Sequence, residues 1–174
     1  MQTLIKQLAG QASRVTDYFD LWAIDVQRFR SMVLAVEAAG IPEHVAANVG
    51  AGIDAGPDFG FEFFDGLAIV TLHGSLMKHR SSYGGTSTVV ARRAIRNAEH
   101  DERVRSILLH VDSPGGTVSG TMDLAKVVAA TKKPIQAFIE DCGCSAAFWI
   151  ASQADKIYTN STAPSATVTT SHLA

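Results

Sequence analysis

The stretch Asp141-Cys142-Gly143-Cys144-Ser145-Ala146-Ala147-Phe148-Trp149-Ile150-Ala151-Ser152-Gln153-Ala154-Asp155 decides how the chain is read. The apolar run before it, residues 135–139, predicts a strand, and the unalternating run after Ser145 predicts a buried helix. Ser145 therefore sits at a strand-to-helix turn between small residues. Two uses of such a serine are open. Its hydroxyl can cap the helix, the commoner role. It can also point out of the tight corner as a nucleophile, with free N–H groups of the helix start behind it to receive an oxyanion.

Working outward, the preceding turn is of similar character. Residues 106–111, Ser-Ile-Leu-Leu-His-Val, form a nearly continuous apolar strand that suits a central parallel position. It runs into Asp112-Ser113-Pro114-Gly115-Gly116. Gly115 and Gly116 leave room above their N–H groups, so this turn can aim an N–H at developing negative charge. It can equally be a plain strand–helix connection. Helices are predicted over about 88–100 and 118–131, and a further strand over 156–159. Residues 61–64, the Asp65-Gly66 turn and residues 67–72 predict a hairpin. Alternating strands and helices point to an α/β fold with a mainly parallel sheet, whose ligands gather at the C-terminal strand ends. Both special turns fall on that edge.

The first 58 residues read as a helical extension and Gly-rich linker, with the main domain at 59–174. The helix is predicted to include Trp22, Ala23 and Ile24 and to carry Val26, Phe29, Met32, Val33 and Val36 on one face. That face can pack on its own domain or on a neighbouring subunit. The loop 81–87 reads as polar and mobile. Arg92, Arg93 and Arg96 read as the solvated side of a helix, with phosphate binding as the alternative.

Composition excludes several classes. A net charge of −2 gives no basic surface for nucleic acid. No stretch reaches the roughly 20 apolar residues of a membrane span, and no signal-peptide core opens the chain, so a cytoplasmic protein is expected. The two cysteines, Cys142 and Cys144, are one residue apart and poorly placed to bridge. No Cys or His pair has zinc spacing, so neither metal nor other cofactor is expected.

Together, the two turns resemble the signal peptide peptidase A family of serine peptidases. Leu108-Leu109-His110-Val111-Asp112-Ser113-Pro114-Gly115-Gly116 resembles that family's Ser-Pro-Gly-Gly segment, and residues 144–157 resemble its nucleophile helix. Gly74-Ser75-Leu76 followed by His79-Arg80 is most similar to the phage and prophage capsid-assembly branch. The resemblance implies a Clp-protease/crotonase fold of repeated strand-strand-helix units. It implies Ser145 as nucleophile, an oxyanion hole from Ala146 and from Gly115 or Gly116, and no cofactor. It also implies a peptide or protein substrate such as a phage scaffold or portal protein, a homo-oligomer, and the host cytoplasm as location.

The family's lysine base lies farther downstream than the 29 residues that follow Ser145 here. Residues 165–170, Ser-Ala-Thr-Val-Thr-Thr, also lack the glycines of the matching family segment. The expectation is a peptidase domain without its C-terminal part. His172 and Lys78 are the substitute bases within the chain. The alternatives are an inactive homologue acting in assembly, and a crotonase-like acyl-CoA enzyme with no serine nucleophile.

Overall fold

The computed structural model describes residues 21–39, 60–79, 85–160 and 170–171. The Gly-rich linker at 50–57, the boundary near 58, most of the loop at 81–87, and His172 lie outside the described residues.

In chain order the elements are β1 (Trp22–Ile24), α1 (Val26–Ala39), β2 (Glu62–Phe64), β3 (Leu67–His73), β4 (Leu76–Met77), β5 (Thr86–Ser87) and α2 (Thr88–His100). Then follow β6 (Ser106–Ser113), β7 (Gly115–Thr117), α3 (Thr121–Ala130), β8 (Ile135–Gly143), α4 (Ala146–Ala151), β9 (Lys156–Thr159) and β10 (Thr170–Ser171). One sheet runs β2-β3-β6-β8-β9 and the other β10-β1-β7-β4-β5.

The first sheet forms as its sequence dictates. Asp65 and Gly66 both take positive φ, 43° and 82°, the backbone that a two-residue hairpin turn requires. That turn joins β2 to β3 antiparallel, and β3, β6, β8 and β9 then pair in parallel. Burial alternates along β3 and β6, and Val70, Leu72, Leu109, Val111, Ala137 and Ile139 point to one face. The apolar residues of α2, α3 and α4 (Ile95, Leu124, Val128, Ile150) close over that face as a single core. Ser87 caps α2 by accepting from the Val90 N–H. Arg93 and Arg96 are exposed, as the amphipathic reading expects. Arg92 is half-buried and pairs with Asp123 at 3.2 Å.

The second sheet was not legible from periodicity, because its strands have two or three residues each. After β3 and after β6 the chain crosses into the second sheet before its helix, whereas β8 enters α4 directly. β3 leads to β4 and then α2, and β6 leads to β7 and then α3. Two expectations are corrected here. The helix expected from Val118 begins at Thr121, because the Val118 N–H still donates to the Leu21 carbonyl beside β1 and Gly120, at φ 83°, is the N-cap. Trp22, Ala23 and Ile24 are not helical. They form β1, pair antiparallel with β7, and are fully buried. The helix proper starts after Asp25, whose carboxylate accepts from the Gln27 and Arg28 N–H groups at 3.1 Å each. Phe29 and Met32 then pack on Trp22, Ile24 and Met77.

Gly116 stands between β1 and β4, paired with Ala23 on one side and Leu76 on the other. A Cβ there would run into the Leu76 carbonyl oxygen, which is backbone and cannot step aside. Gly116→Ala is therefore expected to cost about 3 kcal/mol, the upper range for overpacking, or to prevent folding. A urea melt within about 0.5 kcal/mol of the parent would show that β4 can retreat.

Candidate functional site

Ser145 sits at the junction of β8 and α4, at the N-cap position and with no accessible surface. Its backbone is at φ 53°, ψ −117°. A non-glycine residue held at positive φ costs of order 1–3 kcal/mol and persists only where its surroundings over-determine it. Here they do. Gly143, Ala146 and Ala147 around it are buried, and the Trp149 N–H donates to the Ser145 carbonyl at 2.9 Å. The hydroxyl makes no helix-capping bond, so the capping reading of Ser145 is not what the structure shows. The next residue, Ala146, opens α4, where an N–H has no partner within its own helix.

The Gly115 turn lies beside this junction because β6 and β8 are parallel neighbours ending at one edge. Their register shifts near the end, so that Val111 faces Ile139 but Ser113 faces Gly143. The Cys144 N–H then donates to the Ser113 carbonyl at 3.1 Å and ties the two turns together. The Ser113 hydroxyl donates to the Gly74 carbonyl at 2.6 Å and accepts from the Gly115 N–H at 3.2 Å. Gly115 is at φ 104°, open to glycine alone. Gly116 faces the other way. The Asp25 N–H donates to the Pro114 carbonyl at 2.8 Å and the Val118 N–H to the Leu21 carbonyl at 2.7 Å. Since hydrogen-bonded pairs alternate along an antiparallel ladder, Gly116 exchanges its bonds with Ala23.

Lys78 follows β4. Its carbonyl accepts from the Ser87 hydroxyl at 2.9 Å, and its side-chain stem lies against Gly120 at the start of α3. On the β4–β7 register, in which Leu76 faces Gly116, it lies beyond the level of Thr117.

Three neighbours of the site were missed in the sequence. Ser113 carries no signal of its own within the Ser-Pro-Gly-Gly segment, yet it bridges both turns. His73 meets Asp112 at 3.3 Å on the same strand edge, a pairing visible only once β3 and β6 are in register. The two cysteines, expected to be poorly placed to bridge, form no disulfide, but their Sγ atoms lie 3.6 Å apart as hydrogen-bonded thiols. Burial, reinforced by the Cys144 hydrogen bond and the Cys144 and Asp112 charges and opposed by Arg28, pushes the Cys142 thiol up to about 12.

Residues 85–172 match the family model described as NfeD1b, N-terminal domain. The chain belongs to that family. Among relatives of this NfeD1b-type domain, capsid assembly protease C of Escherichia phage lambda is 32% identical over 111 residues, covering 59% of this chain and 25% of that protein. Protease 4 of Salmonella typhi is 28% identical over 94 residues, covering 52% of this chain and 15% of that protein. These relatives place the NfeD1b-type domain with the signal peptide peptidase A family, on its phage protease branch. The chain spans a quarter or less of either relative's length. A solved enoyl-CoA hydratase/isomerase family member is similar at 16% identity and a TM-score of 0.47, over 57% of this chain and 46% of that one. The chain's own order holds two strand-strand-helix units, β3-β4-α2 and β6-β7-α3, the repeat expected of a Clp-protease/crotonase-like fold.

The strain at Ser145 can be measured. Glycine takes φ 53° at little cost, so Ser145→Gly is expected to be about 1 kcal/mol more stable than Ser145→Ala. Matching urea midpoints for the two variants would mean that the turn stores no strain.

Proposed function

We propose that this peptidase-like domain is a serine endopeptidase of the capsid-assembly type, with Ser145 as nucleophile. The observation that carries the reading is the buried, positive-φ Ser145, whose hydroxyl does not cap the helix that it precedes. Backbone strain of this kind clusters at functional turns, and a structural cap would have no use for it. The Ser145 hydroxyl attacks the scissile carbonyl carbon while its proton passes to a base. The oxyanion that forms is received by the Ala146 N–H and the Gly115 N–H. Gly115 is favoured over Gly116 because the Gly116 N–H belongs to the β1 ladder. The Gly115 N–H must then leave the Ser113 hydroxyl, to which it donates here. An oxyanion-hole donor is worth on the order of a hundredfold to a thousandfold in rate, enough to drive that exchange.

The base is a lysine beyond this sequence, His172, or Lys78. The substrate is a peptide segment of a phage scaffold or portal protein, and the working form is a homo-oligomer in the host cytoplasm. The names of relatives support the phage setting, among them a head-tail preconnector protein of Enterobacteria phage P21. A second reading, a non-enzymatic assembly subunit, is favoured by the occupied Gly115 N–H.

A fluorophosphonate probe is expected to label the chain at Ser145 and to leave Ser145→Ala unlabelled. Cleavage of a denatured protein substrate should fall by at least about a thousandfold in that variant. Lys78→Ala and His172→Ala then test the two bases within the chain, and labelling that survives both assigns the role to neither. An unlabelled chain that assembles normally and is not retained on immobilised CoA would establish the assembly reading. Retention on CoA without labelling would establish the acyl-CoA alternative.

A further inference from the structure

The peptidase reading leaves Cys142 and Cys144 unused, and their arrangement is chemically specific. They flank Gly143 at the end of β8, where successive odd or even residues share a face. The β6–β8 register shifts at this point, so β8 is bent between Ile139 and Gly143. The two Sγ atoms lie 3.6 Å apart, one thiol donating to the other. A disulfide bond is about 2.04 Å long, so the sulfurs must close by roughly 1.6 Å, within the reach of side-chain rotation and a small backbone adjustment. Both side chains are half-buried and neither sulfur is in a disulfide. The residue between them must be small, because a Cβ on Gly143 would meet the Ile139 side chain at 2.7 Å.

We propose that Cys142-Gly143-Cys144 is a reversible dithiol–disulfide site, oxidised by exchange with a small-molecule disulfide of the glutathione type. The order of attack follows from the environment. The Cys142 thiol is pushed up to about 12, chiefly by burial, and is a poor first nucleophile. Cys144, as thiolate, attacks one sulfur of the small disulfide, whose S–S bond breaks and releases one thiolate. Cys142 then gives its proton to solvent, and its sulfur attacks Cys144 Sγ in the mixed disulfide, expelling the second thiol. Two protein thiols are oxidised, and one small disulfide is reduced to two thiols.

Closing this ring reorients the Gly143–Cys144 peptide. The Cys144 N–H is the group that ties the Ser145 turn to Ser113. Oxidation is therefore transmitted to the turn carrying Ser145, with or without catalysis there.

The test uses the full chain, native, with oxidised glutathione at mildly alkaline pH, followed by non-reducing intact mass and peptide mapping. The expected product has lost two hydrogens, retains no glutathione, maps to a Cys142–Cys144 link, and reverts with dithiothreitol. Cys142→Ser should instead hold one glutathione on Cys144. Persistent glutathione on the parent chain, no reaction, or a disulfide-linked dimer would overturn the proposal. Hydrogen exchange over residues 143–149 should quicken by about tenfold or more on oxidation, as expected for loss of a local bond. Unchanged exchange in a fully oxidised sample would overturn the coupling to the Ser145 turn. None of these readouts requires Ser145 to be a nucleophile, so the peptidase reading and the thiol-pair proposal can fail separately.

Discussion

The hydrogen bond from the Cys144 N–H to the Ser113 carbonyl is the point on which the site depends. It exists because β6 and β8 are parallel, adjacent and end at the same edge. Parallel neighbours cannot be joined by a tight turn, so each strand must leave the edge by a crossover. Two crossovers leaving one edge side by side bring two turns together that are about thirty residues apart in sequence. The turns differ because their strands do different things next. β6 hands the chain to a second sheet through Pro114 and Gly115, while β8 bends and enters α4 directly through Ser145. Ser113 reads both events at once, with its carbonyl on one turn and its hydroxyl on the other.

The second sheet imposes the tighter steric limit. β7 is three residues long and must accept β1 on one side and β4 on the other. Its middle residue, Gly116, has backbone on both sides, which explains a second glycine that the positive φ of Gly115 does not require. The arrangement also makes the segment before α1 part of the site's foundations. Trp22 and Ile24 are fully buried, and Arg28 from the first turn of α1 is close enough to oppose the pKa rise at Cys142.

How much of this was legible in the sequence follows from what each element is made of. Long apolar strands and the amphipathic helix 88–100 announce themselves through periodicity, and the Asp65-Gly66 hairpin through its turn chemistry. Ser145 and the two glycines were legible as residues at turns, and their neighbourhood followed once both turns fell on the same sheet edge. β1 was not legible, because Trp22-Ala23-Ile24 is too short to alternate and runs straight into a helix of similar composition. Its strand state is imposed by pairing with Gly115–Thr117, a partner about ninety residues away. The contact of the two thiols was hidden for a related reason. In a straight strand, residues two apart are held apart, and only the register shift near Ser113 bends β8 enough to bring the sulfurs together.

The strain at Ser145 and the register shift belong to one solution. A regular β8 would carry its alternation through residue 145, and its side chains would simply alternate between the covered face and the open one. The bend after Ile139 breaks that alternation. Glu140 and Asp141 both face solvent, and Gly143 is turned inward against Ile139. From that inward glycine the chain has two residues in which to start α4 on the core side, where Ala147 and Ile150 belong to the apolar cluster. A turn that short needs one residue at positive φ, and Ser145 takes it. Glycine would do so more cheaply, so a serine at this position is a choice of side chain over stability. The burial of Ala146, Ala147, Ile150 and Ala151 offsets the cost at about 25 cal/mol per Å² of apolar surface. Small residues at Ala146 and Ala147 let the helix start close enough to the sheet for that burial, and so hold the Ser145 turn where β6 and β8 end.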